Sequence, residues 1–361
     1  MIHPLEILRV LRAFALLSLT VLVAACSHSM TDTRTDFPHN DNMLAGRLLL
    51  PKTPGPHPAV LIVHGDGDST WNGYGYYKPF MQALTEAGFA VYSWDKPGVG
   101  GSSGNWLNQS MEDRADEVIA AANVLRRRSD IRLDEIGLLG FSQAGWVMPK
   151  AISKDQNFAF MVSVSGAINW LEQSEYTTRN RLRLDGAPDA EIEIALTFDK
   201  RVVDLLIKEA DYQAYQELMN SAPECCDDVM SEERWAFVKL NFRSDAREDL
   251  ARVDVPVLAV FGNRDMNVDF AQSAEVYMDI LSKTPGADAI VTLRDADHML
   301  LPALSDRYVT ADAALTQRII SIEVFGADAF ADGAIERITN WISRLDHIAP
   351  PALPAKEQEG N

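Results

Sequence analysis

A serine hydroxyl can act as a nucleophile only if the backbone holds it clear of the fold and a base takes its proton. Residues 135–146, Glu-Ile-Gly-Leu-Leu-Gly-Phe-Ser-Gln-Ala-Gly-Trp, have the form that meets the first condition. The apolar run Ile136 to Leu139 reads as a buried parallel strand, and Gln143 onward reads as a helix. Ser142 stands at the joint, with Gly140 two residues before it and Ala144 two residues after. A strand turning directly into a helix strains the joint residue, and its neighbours two away must be small to let the chains pass. The alternation matches Gly-x-Ser-x-Gly except at Ala144, which is itself small and is followed by Gly145. The helix N-terminus beneath the serine favours negative charge.

Such a joint needs a parallel sheet around it, and the chain supplies one. After a strand at Met43–Leu50, the continuous apolar run Ala59–Val63 and the runs Phe89–Trp94 and Phe158–Val164 read as strands buried on both faces. Helices are expected at about 76–87 and, capped by Ser110, at about 111–128. Strands alternating with helices give a doubly wound α/β sheet. At Asn169 the alternation stops. Residues of about 169–250 are helix-like, with Val202, Leu205, Leu206 and Ala210 at helical spacing. Val255–Phe261 restores the sheet, a helix over 271–281 and a strand over Ala289–Leu293 follow, and an amphipathic helix over about 331–345 closes the pattern. No internal repeat is present. The glycine-rich run after Asp95-Lys96-Pro97 has no P-loop spacing and reads as structural.

The formal charge of −19 and pI near 4.7 argue against nucleic acid as a partner. Arg9 and Arg12 precede a short apolar segment, Ala13 to Ala25, too short to span a bilayer. It ends Val23-Ala24-Ala25-Cys26, which resembles a bacterial lipobox. The expectation is a signal peptide over 1–25 and a lipid anchor on Cys26, and an ordinary secretory signal is the alternative. Ser27 rather than Asp after the cysteine suits the outer membrane, with the protein facing the periplasm. Polar residues 26–42 read as a tether, and residues 347–361 as a disordered tail. The adjacent Cys225 and Cys226 read as a free or vicinally bridged pair without a catalytic role.

Together, the Asp-Lys-Pro-Gly-Val-Gly and Gly-Phe-Ser-Gln-Ala-Gly-Trp segments resemble bacterial esterase-like and dienelactone-hydrolase-like α/β-hydrolases. The resemblance covers about 43–346. It implies an α/β-hydrolase fold of about eight strands with a helical lid inserted after the sixth. It also implies the order nucleophile, acid, histidine. Of the seven histidines only His298 and His347 follow both Ser142 and the candidate acids, and His347 starts the tail, which leaves His298. The family's Gly-x-x-Asp pattern, in Gly262-Asn263-Arg264-Asp265, places the acid at Asp265; Asp269, four residues on, is the runner-up and reads as a helix cap.

In such a triad the imidazole takes the serine's proton, and the carboxylate fixes its tautomer. The backbone N–H groups of Asp66, after His64-Gly65, and of Gln143 would meet the oxyanion. Among Trp170, Tyr176, Phe198, Tyr212, Tyr215 and Trp235 of the lid, one or two are expected to line the acyl pocket. The resemblance implies a serine hydrolase of carboxylic esters with small-molecule substrates, no metal and no organic cofactor. A peptidase or thioesterase on the same triad, or a non-catalytic binding protein, remains as a rival.

Overall fold

The computed structural model describes residues 30–221, 229–281, 289–303 and 311–345. Its centre is an eight-stranded sheet built from β1 (Met30–Arg34), β4 (Gly46–Pro51), β5 (His57–Val63), β6 (Ala90–Trp94), β7 (Ile131–Phe141), β8 (Met161–Val164), β9 (Val257–Gly262) and β10 (Ala289–Leu293). Their order across the sheet is β1-β4-β6-β5-β7-β8-β9-β10, antiparallel at β1/β4 and β4/β6 and parallel from there on. A small hairpin, β2 (Phe37–His39) with β3 (Asn42–Leu44), stands apart.

Period-two alternation shows why β5 sits at the centre. Ala59, Leu61 and Val63 join one core layer, while Val60 and Ile62 join the other. Helices α2 (Met111–Leu125), α3 (Ala144–Lys154) and α9 (Phe270–Leu281) cover the first face. Helices α1 (Lys78–Glu86), α10 (Ala311–Phe325) and α11 (Ala334–Ser343) cover the second. With both faces covered by helices, apolar strands are the stable choice, as the continuous runs in the sequence require.

Between β8 and β9 the described residues form helices and no strand: α4 (Trp170–Leu184), α5 (Asp189–Ile207), α6 (Tyr212–Asn220), α7 (Glu232–Asn241) and the short α8 (Arg247–Leu250). Phe198, Tyr215 and Trp235 are buried here, with Tyr215 stacked on Trp235 at 4.6 Å. Its two ends meet: Ala246 N donates to Ile168 O at 2.8 Å and Trp170 N to Ser244 O at 3.0 Å.

The tether expected over 26–42 is corrected from Met30 onward. Met30 to Arg34 pair with Pro51 to Arg47 as an edge strand, and Phe37 is buried against Trp94 at 5.7 Å. Backbone hydrogen bonding makes β1, not burial, since four of its five side chains are exposed. Cys26, Cys225, Cys226 and the tail over 347–361 lie outside the described residues. Among the described residues no helix is long and apolar enough to cross a membrane.

Candidate active site

The carboxyl ends of β5, β7, β9 and β10 lie along one edge of the sheet, since Val63 pairs with Gly140 and Gly262 with Leu293. Ligands of open α/β sheets bind beyond that edge.

At the end of β7, Ser142 adopts φ 52°, a left-handed conformation rare outside glycine. Three backbone hydrogen bonds hold it there: Ser142 N to Val164 O at 2.9 Å, Gly145 N to Ser142 O at 2.9 Å and Ala167 N to Ser142 O at 3.1 Å. The turn is as tight as the spacing of small residues implies. A Cβ on Gly140 would lie 2.5 Å from Met148 Sδ and 2.6 Å from Ala144 Cβ. A Cβ on Gly145 would lie 2.6 Å from both Ala167 N and Ala167 O. Ala144 therefore fits only because position 140 has no side chain, and Gly145 takes the close pass against residues 166–167.

The loop after β9 carries Asp265, which is buried. Its Oδ2 is 2.8 Å from His298 Nδ1, and its Oδ1 accepts from Asn267 N at 2.8 Å and Val268 N at 2.9 Å. Asp269 instead accepts from Ala271 N and Gln272 N, both at 3.1 Å, at the start of α9. The histidine loop is braced in its turn. Asp297 accepts from Met299 N at 2.9 Å and Leu301 N at 3.1 Å and pairs with Arg318 of α10, while Tyr76 donates to Met299 O at 2.9 Å. Burial works against a charged His298, but the charge and hydrogen bond of Asp265, with the charge of Asp297, outweigh it and raise the imidazole pKa above its ordinary value.

The loop after β5 closes the other side. A Cβ on Gly65 would sit 3.3 Å from Ser142 Cβ, so glycine lets this loop lie against the serine. His64 is buried. Its Nε2 donates to Trp94 O at 2.6 Å, and burial, then the charge of Lys96, hold its pKa down at about 3. Buried Arg114 of α2 donates to His64 O at 2.6 Å and to Gln143 Oε1, and Gln143 Nε2 donates to Asp66 Oδ1 at 3.0 Å. From α7, Arg234 makes a fork on Asp66, at 3.1 and 2.6 Å. Partial burial pushes the Asp66 carboxyl up, but this fork outweighs it and holds the pKa below the usual value. The backbone N–H groups of Asp66 and Gln143 have no partner among the described residues.

Between these parts lies a cavity of about 260 Å³, bounded by Ser142, Asp66 and Gln143 on the sheet side. Trp146 and Trp170, stacked at 5.1 Å, form one wall. Gln173, Ser174, Thr177 and Thr178 of α4, together with Arg234, form the other. Of the six aromatic residues considered in the insertion, Trp170 reaches the cavity and Tyr176 reaches the site another way, donating to Asp265 O at 2.9 Å. Among the described residues no group of three or more His, Cys, Asp or Glu is placed to hold a metal.

A family model described as "Serine aminopeptidase, S33" matches residues 54–301, well over half of the chain. The chain belongs to that family. It is an α/β-hydrolase. An esterase of Pyrococcus furiosus superposes with a TM-score of 0.54 at 17% identity, over 88% of this chain and 92% of that one. An α/β-hydrolase from Penicillium sp. gives 0.53 at 14%, over 87% and 99%. A Pyrococcus horikoshii acylaminoacyl peptidase gives 0.50 at 16%, over 77% of this chain and 39% of that one. At these identities the likeness is one of fold. A search of curated protein sequences gives no match.

Three residues of the candidate site are not among those the sequence singles out. Arg114 had a signal, a cation among Met111, Ala115 and Val118 on the buried face of α2. Lys96 was visible but counted with the structural glycines around it. Arg234 had none, because it meets Asp66 from 168 residues away.

Proposed function

We propose that this chain is a serine hydrolase that cleaves carboxylic esters through an acyl-enzyme on Ser142. The observation that carries the reading is the His298–Asp265 pair at 2.8 Å on the same sheet edge as a strained Ser142.

In that mechanism Ser142 Oγ attacks the acyl carbon while its proton passes to His298 Nε2. Asp265 holds Nδ1–H and stabilises the imidazolium. The carbonyl π electrons move to oxygen, and the unpartnered N–H groups of Asp66 and Gln143 meet that oxyanion. Collapse expels the alcohol, which takes the proton from His298. Water then attacks the acyl-enzyme by the same steps and releases the acid. Because the base works only when neutral, turnover should rise with pH through the His298 pKa, which lies above its ordinary value of 6.5. The helical insertion acts in this reading as a lid that shapes the acyl pocket. Cys26 would carry the lipid anchor that holds the enzyme to the envelope.

The family description favours a second reading, a peptidase on the same residues, for which His298 must protonate a leaving amine. One experiment separates them. Labelling by a fluorophosphonate probe should occur in the wild type and vanish in Ser142→Ala, and p-nitrophenyl esters should be cleaved faster than aminoacyl p-nitroanilides. Labelling that persists in Ser142→Ala overturns the mechanism; anilides cleaved faster overturn the ester assignment.

A further inference from the structure

The Asp95-Lys96-Pro97-Gly98 run was assigned only to structure, yet Lys96 sits under the loop that faces the serine. It is 1% exposed, a burial that lysine rarely tolerates without a reason. Its Nζ donates to Gly65 O at 2.6 Å and to Gly67 O at 2.7 Å, and stands 5.1 Å over the Trp106 ring. No carboxylate lies within ion-pair distance of it among the described residues. The two carbonyls flank Asp66 on either side.

Peptide geometry turns this contact into a statement about Asp66. The Gly65 carbonyl and the Asp66 N–H belong to one planar unit, and in a trans peptide they point in opposite directions. Drawing Gly65 O down onto Lys96 therefore turns Asp66 N–H away from Lys96, and Gly65 itself lies against Ser142. The second bond, to Gly67 O, fixes the next turn of the loop, where Gly67 has φ 82°. Arg114 holds the carbonyl before, His64 O, at 2.6 Å. Anchors on the carbonyls of residues 64, 65 and 67 hold the Gly65–Asp66 unit against flipping.

We propose that Lys96 is a positioning residue for catalysis: by holding Gly65 O and Gly67 O it aims the Asp66 N–H at the oxyanion. The inference rests on the serine-hydrolase reading above. It does not depend on the charge of the amine. Burial pushes the Lys96 pKa well below its ordinary value, but an ammonium and a neutral amine alike have hydrogens enough for two carbonyls. What the position requires is two donors at the end of a long apolar stem.

The test compares Lys96→Met, which keeps the stem and removes both donors, with wild type on an ester and its thionoester. A thiocarbonyl sulfur accepts hydrogen bonds poorly, so an aimed donor favours the oxygen ester, and a misaimed one loses that preference. Loss of an oxyanion donor costs about 100- to 1000-fold. Lys96→Met should therefore lose about 10- to 100-fold in kcat with KM nearly unchanged, and its oxygen-to-sulfur rate ratio should fall toward one. Lys96→Arg, which keeps donors, should hold the wild-type ratio. If Lys96→Met does not fold, Lys96→Gln, with its amide donor, is read the same way and should fall between the two. An unchanged kcat, or a kcat lost with the ratio intact, overturns the proposal. So does unfolding of all three variants, which would make Lys96 a stability residue. A wild type without Ser142-dependent turnover instead overturns the parent reading.

Discussion

The two walls of the proposed oxyanion site are built by opposite means. On the Ser142 side the position is set by exclusion: Gly140 and Gly145 have no Cβ because Met148, Ala144 and the Ala167 backbone already fill that space. On the Asp66 side the position is set by attraction, through Lys96, Arg114 and Arg234 reaching in from three different elements. Packing of the first kind is local, because the atoms that exclude one another lie within a few residues or on the next strand. Wiring of the second kind is distant. The two walls should therefore fail differently when altered.

The largest loss is expected where the chemistry itself is touched. Asp265→Asn should cost about 10,000-fold in turnover, because the amide favours the wrong imidazole tautomer. In the activity that remains, the acid limb of the pH profile should move to lower pH, since Asp265 contributes the charge and hydrogen bond that raise His298. An unmoved limb would separate His298 from the titration.

Next comes the wall set by exclusion. Gly145→Ala puts a methyl group 2.6 Å from backbone atoms that cannot rotate away. It should destabilise by about 3 kcal/mol and, by shifting Ser142, lower turnover about 100-fold. Thermal melting and steady-state rates check both.

The wall set by attraction should yield by degrees. Arg234→Met removes one of several contacts on a half-exposed Asp66, with about 0–1 kcal/mol of stability at stake. Turnover should fall only a few-fold, and the wild type should approach the variant at high salt, where the Asp66–Arg234 attraction is screened. A loss as large as that of Gly145→Ala would erase the distinction between the walls. Smallest of all is Asp269→Asn, since Asn caps a helix about as well as Asp; melting temperature and rate should both stay near wild type.

The same distinction explains what could be read in the sequence. The apolar runs announced β5, β6, β8 and β9, and the small residues around Ser142 announced the tight turn, because burial and exclusion constrain residue type directly. The exposed strand β1 left no apolar trace, for hydrogen bonding to Leu50 and Leu48 accepts almost any side chain. Strand β7 begins at Ile131, earlier than its apolar run: Ile131 pairs with His57 and Ile136 with Ala59, the register shifts between them, and Leu133 and Asp134 of the intervening stretch are exposed. Helix α10 was not anticipated, because its apolar residues do not gather on one side; Val324 and Phe325 face solvent while Ile322 is buried. Arg234 and Asp66 become partners only once α7 is folded over the sheet.

The meeting of Ile168 with Ala246 has a mechanical consequence. An arm that leaves and re-enters at one point is free to swing about it, and only contacts farther out can stop the motion. Asn241 of α7 does so, accepting from Met111 N at 3.0 Å and donating to Gln109 O at 3.1 Å, as does Phe237 packed on Trp106. Two further contacts lie on opposite flanks of the cleft: Tyr176 and Thr177 of α4 on the carbonyls of Asp265 and Asn267, and Arg234 of α7 on Asp66. The first pair consists of neutral hydrogen bonds between a helix and a loop; the second is ionic and half open to water. Ionic strength therefore loosens one latch and leaves the other closed. With Asn241 and Phe237 still holding α7 to the sheet side, salt then frees the Arg234 side chain and opens the cleft over Asp66, while the Asp265–His298 pair keeps its cover.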